Sequence, residues 1–144
     1  MSNRTPDGWW LLAPLALIAL TSCSSGADED PGPTPDALTQ ITDIAYDAAA
    51  AAGDDPRGAG AGDGRRTSSV SLGGFTAGAT YGACTACTGG TSIGMDLAGT
   101  AVTLDCDGQA HRVDALVLPN DTATFEVTRP SEVPSQWAVA ITMR

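Results

Sequence analysis

A strict two-residue alternation of apolar side chains in the second half of the chain limits its fold more than any other feature. Ile93, Met95 and Leu97 alternate with Gly94, Asp96 and Ala98, and Val102, Leu104 and Cys106 alternate with Thr103 and Asp105. Val113, Ala115 and Val117 repeat the pattern, as do Ala123, Phe125 and Val127, and then Trp137, Val139, Ile141 and Met143. Successive side chains of an extended strand leave on opposite faces, so this spacing buries one face and wets the other. Turn formers punctuate the runs: Gly89-Gly90, Ala98-Gly99, Asp107-Gly108, Pro119-Asn120-Asp121 and the stretch from Pro130 to Pro134. Further strands near 68–75 and 80–87 bring the expectation to about seven. Residues 65–144 are therefore read as an all-β domain, a small antiparallel β-sandwich with one shared core.

About 80 residues is marginal for such a core, so a covalent staple is expected. Cys87 shares parity with Tyr81 and Ala83, and Cys106 with Val102 and Leu104, so both sulfurs can point inward and pair. Two other readings of the cysteines stay open here. Cys84-x₂-Cys87 has the spacing of a thiol-redox motif, although Thr88-Gly89-Gly90 makes a turn where such a site needs a helix N-terminus. Cys84, Cys87, Cys106 and His111 together form the ligand inventory of a Cys₃His zinc centre. The disulfide is preferred, no metal or cofactor is expected, and Cys84 is left spare.

The N-terminal segment gives an address. Residues 1–8 are polar with one arginine, and Trp9–Leu20 (WWLLAPLALIAL) is uncharged. Twelve residues fall short of the roughly 20 that a membrane-spanning helix needs, but they suit the apolar part of an export signal. Leu20-Thr21-Ser22-Cys23 follows, and resembles the lipobox of bacterial lipoproteins. The resemblance implies a signal peptide over residues 1–22, cleavage before Cys23 and a diacylglycerol thioether on Cys23. A doubly acylated anchor holds durably, where one chain holds only marginally. The implied location is the extracytoplasmic face of the cell membrane.

Residues 23–64 read as an acidic tether. From Ser24 to Gly64 there are nine acids and one arginine, a net −8, most of the −10 carried by the whole chain. Small, acidic, proline-broken sequence has too little apolar surface to fold and repels itself into extension. One helix is expected inside it over 35–52, where Thr34-Pro35-Asp36 supplies an N-cap, a first-turn proline and a negative charge. Leu38, Ile41, Ala45 and Ala48 then follow at helical spacing, and Gly53 can end it. That helix can cap the domain or sit as a marginal helix within the linker, and the expectation is the second. The run Asp54–Gly64 (DDPRGAGAGDG) is expected to be flexible linker. It lacks the Gly-Lys-Ser/Thr triplet of a phosphate loop.

Charge and composition narrow the function. Seven bases, all arginine, against 17 acids exclude a phosphate-binding basic patch, so neither nucleic acid nor anionic lipid headgroups are expected partners. Lysine is absent, and no Gly-x-Ser-x-Gly or Ser-x-x-Lys constellation appears. His111 is the only histidine and is read as an exposed polar residue. Asp105 and Asp107 lack a calcium-loop pattern around them. Asn120-Asp121-Thr122 is read as a turn rather than a glycosylation site. Trp137 and Tyr81 could stack on sugars if exposed, but their parity with core positions predicts burial. No catalytic residue is assigned.

Finally, Phe75-Thr76-Ala77-Gly78, Cys87-Thr88-Gly89-Gly90, Cys106-Asp107-Gly108 and Trp137-Ala138-Val139 resemble the C-terminal domains of small actinobacterial lipoproteins. Over about residues 70–144 this resemblance implies the same β fold and the same Cys87–Cys106 bond, and no activity. Cys84 departs from that pattern. The functional expectation is a membrane-anchored lipoprotein with a non-enzymatic display or binding domain. The alternatives are a solute- or carbohydrate-binding module, or a metal or thiol-redox protein.

Overall fold

The computed structural model describes residues 32–143; Cys23 and its expected lipid lie outside them. The helix α1 (Pro35–Ala51) begins where the capping signal places it, with the Thr34 side chain accepting from the Ala37 amide at 3.2 Å and proline in the first turn. It ends through Ala52 and a left-handed Gly53 (φ 77°).

Eight strands follow: β1 (Asp55–Asp63), β2 (Ser69–Gly73), β3 (Thr80–Thr88), β4 (Ser92–Leu97), β5 (Thr100–Asp105), β6 (Ala110–Val117), β7 (Thr122–Arg129) and β8 (Gln136–Met143). They form two four-stranded antiparallel sheets, an inner one ordered β1-β8-β3-β6 and an outer one ordered β2-β7-β4-β5. The expected all-β sandwich is what forms. Apolar faces of both sheets meet in a core built on Trp137, Phe125, Ile93, Met95, Leu97, Leu116, Val127, Val139 and Ile141. The β4–β5 hairpin turns on Ala98 and Gly99, both at positive φ (52° and 93°), as a two-residue turn matching the strand twist requires.

Two expectations fail N-terminal to residue 65. The run read as flexible linker is β1, an edge strand paired to β8 from Asp55↔Met143 to Asp63↔Gln136. Its glycines recur every second residue and face the core, and at Gly60 and Gly62 neighbouring bulk leaves no room for a side chain. A Cβ on Gly60 would lie 2.7 Å from Val70 Cγ1, and one on Gly62 would lie 3.0 Å from the Trp137 ring. The intervening Ala59 and Ala61 pack on the other side, toward α1. Nor is α1 a marginal helix within a linker: Ile41, Ala45 and Ala49 are buried, and the first two share a cluster with Ala86, Ala138 and Ala140 of the inner sheet. Tertiary packing supplies what an alanine-rich helix lacks alone. The folded unit therefore includes α1 and β1.

One register detail also departs from simple alternation. The β3–β6 pairing slips between Tyr81↔Leu116 and Ala83↔Val113, and Ala115 sits at φ 61° in that bulge. Leu116 and Leu118 are turned into the core in consequence, while Val117, expected inside, is 55% exposed.

Candidate functional site

The cysteines divide between the two faces of the inner sheet. On β3, Tyr81, Ala83 and Cys87 face the sandwich core, and Cys87 is bonded there to Cys106. The bond links the end of β3 to the residue after β5, next to a turn in which the Gly108 amide donates to the Cys87 carbonyl at 2.9 Å. An odd separation along a strand places Cys84 on the opposite face, level with Ala140 of β8 and Arg112 of β6. Cys84 is a buried free thiol. The Cys84-x₂-Cys87 pair thus cannot close on itself, and the four-residue zinc inventory is split across the sheet. Among the described residues, no group of three or more His, Cys, Asp or Glu side chains is placed to hold a metal ion.

His111 stands near the remaining acids on the surface. Its Nε2 lies 3.1 Å from Asp107 Oδ1, and both side chains are exposed. Asp107 also accepts from the Gln109 amide at 2.9 Å. That backbone donor, followed by His111, holds its carboxyl below the ordinary carboxylate value. The cluster closes the Asp107-Gly108 turn.

A second polar group lies on the α1 side, and hydrophobic patterning gave no sign of it. Arg112 pairs with Asp54, just past α1, and donates from Nε to Asp114 Oδ1 at 2.8 Å. The Asp54 side chain is only 8% exposed, and the buried Thr142 hydroxyl donates to it at 3.5 Å. Burial pushes the Cys84 thiol above its ordinary value, with Arg112 acting in the opposite sense and Asp54 and Asp114 reinforcing burial. A raised thiol is a poor nucleophile at neutral pH, so this arrangement is the reverse of an activated cysteine. Ordered by size, the Asp114 hydrogen bond and then the Asp54 pairing raise the Arg112 guanidinium further.

Neither Trp137 nor Tyr81 offers a stacking platform. Trp137 is fully buried, and Tyr81 is nearly so, its hydroxyl accepting from the Thr76 amide at 2.9 Å and its ring meeting Phe75 edge-on. Trp137 Nε1 and Ser135 Oγ have no hydrogen-bond partner among the described residues. The exposed face of the outer sheet carries a shallow depression of about 190 Å³ of mixed lining, with Ala98 and Pro119 beside Asp96, Asn120, Thr124 and Glu126. Several of its polar groups are already engaged. Asp96 accepts from the Gly99 amide (2.6 Å), Asn120 from the Thr122 amide (2.8 Å), and Thr124 shares a hydrogen bond with Ser71 (3.0 Å). Asn120 is thus the turn former expected from the sequence.

The chain matches no family model, no curated protein and no solved structure.

Proposed function

We propose that the protein is a bacterial lipoprotein, held by lipid on Cys23 at the extracytoplasmic face of the cell membrane, whose sandwich is a non-enzymatic display or binding domain. The observation that carries this reading is Leu20-Thr21-Ser22-Cys23 at the end of a twelve-residue apolar run. The buried Cys87–Cys106 bond supports it, since small exported domains use disulfides and cytosolic ones seldom do. The division of Cys84 from Cys87 favours this reading over a thiol-redox or zinc protein. On it, the leash is shorter than the sequence suggests. With α1 beginning at Pro35, eleven residues (24–34) separate anchor from helix, a contour of at most about 40 Å.

Metabolic labelling with an alkyne fatty acid tests the anchor. Label should enter the wild-type chain and be lost in Cys23→Ala, with the variant released from the membrane fraction. Label that persists in the variant, or is missing from both, rejects the proposal.

A further inference from the structure

Two independent apolar clusters hold this domain. The larger lies between the sheets, contains the disulfide and takes no residue from α1. The smaller joins α1 to the inner sheet through Ile41 and Ala45 against Ala86, Ala138 and Ala140, with Ile44, Ala59 and Ala61 at its margin. Apart from Ile41 and Ile44 these are methyl groups, and the area a methyl removes from water is small. The helix therefore has close contact but little adhesion. Its end leads through Ala52 and Gly53 (φ 77°) into β1, a point where the chain can swing without disturbing a strand. Inside the helix the Thr34 cap and the Thr39 and Thr42 side-chain bonds to the Pro35 and Leu38 carbonyls are local, so they travel with it.

We infer that α1 is a strap: it lifts from the inner sheet as a unit while the sandwich stays closed, and lifting bares the buried Cys84 on the face it covers. Cooperative units of low stability beside a stable core are how proteins open below their global unfolding threshold. Asp54, on the sheet side of the hinge, is fixed by its pairing with Arg112, so the swing is confined to Ala52 and Gly53. Among the described residues α1 is the first element, so tension from the Cys23 side reaches it before any strand. That last point rests on the lipid-anchor reading; the lifting itself does not.

Site-resolved alkylation of Cys84 in the folded full-length chain, followed by mass spectrometry with iodoacetamide in excess, tests the strap. Ile44→Ala trims a partly buried side chain at the margin of the α1 contact and should speed Cys84 labelling about threefold. Ile41→Ala removes the main adhesive side chain and should speed it by at least about tenfold. Val127→Ala weakens the sandwich core without touching the α1 face and should leave the rate within about twofold. Equal acceleration by Val127→Ala would mean that Cys84 reacts through global unfolding, and would overturn the inference. So would an unchanged rate in Ile44→Ala, a partly buried position outside the sandwich core, which leaves the sandwich folded even where Ile41→Ala does not.

Discussion

The inner sheet is covered on both sides, and its two coverings are built on different principles. Toward the outer sheet it presents Tyr81, Leu116, Trp137, Val139 and Ile141; toward α1 it presents Ala59, Ala61, Ala86, Ala138 and Ala140, with Cys84 in the same row. Large side chains on the first face interdigitate with Phe125, Ile93, Met95 and Leu97, and remove much apolar surface from water. Small ones on the second let a helix approach closely, but little area is removed. One sheet thus has a structural side and a releasable side, and parity along β3 and β8 decides which residues serve each.

The strongest way to break this comparison is to empty the structural side. Phe125→Ala, deep between the sheets, should cost about 4 kcal/mol of unfolding free energy in urea denaturation. A cost no greater than that of Ile41→Ala would mean that the α1 side is not the weaker one. A smaller effect should come from filling space instead of emptying it. Gly60→Ala puts a methyl 2.7 Å from Val70 Cγ1 and should destabilise by about 2 kcal/mol through overpacking. Gly58→Ala, whose methyl meets Leu72 Cδ1 at 3.5 Å, should cost much less. Equal effects at the two glycines would remove the argument that β1 is glycine-rich because of what it faces.

The smallest expected effect belongs to the releasable side. Burial raises the Cys84 thiol above its ordinary value of 9.0, so the unfolded chain gives up that proton first as the solution becomes alkaline. Stability contributed by the buried neutral thiol is whole below pH 9.0 and falls as pH rises past it. Urea midpoints should therefore drop more steeply above that pH for the wild type than for Cys84→Ala. Parallel profiles would show that Cys84 is not held in an apolar site.

Most of the strands were legible because their buried faces alternate Ile, Leu, Val, Phe, Met or Trp with polar or small residues, and β3 because Tyr81, Ala83 and Cys87 share one parity. β1 was not, for a physical reason. Its core-facing residues are glycines, which register as absence of hydrophobicity although they mark a face closed off by Val70 and Trp137. The signal was present as a period of two in Gly58, Gly60, Gly62 and Gly64, and hydropathy alone is blind to it. The docking of α1 was obscured in the same way, since Ala45 and Ala49 read as helix propensity and not as an interface. For the cysteines, parity put Cys87 and Cys106 in the core. The same parity placed Cys84 on the opposite face, which meant nothing until α1 was found covering it. The Asp54–Arg112 pair joins residues 58 positions apart and left no local trace.

The strand order has a consequence for how this domain comes into being. Of the seven connections between successive strands, only β4–β5 stays within one sheet; the other six pass from one sheet to the other. The last strand, β8, is not an edge but lies between β1 and β3, and supplies Trp137 to the centre of the core. Until β8 arrives, β1 has no neighbour in its own sheet and β3 has one. The inner sheet is therefore the one that closes last. A chain completed from its N-terminus would thus close its inner sheet only at the end, its C-terminal strand acting as the keystone.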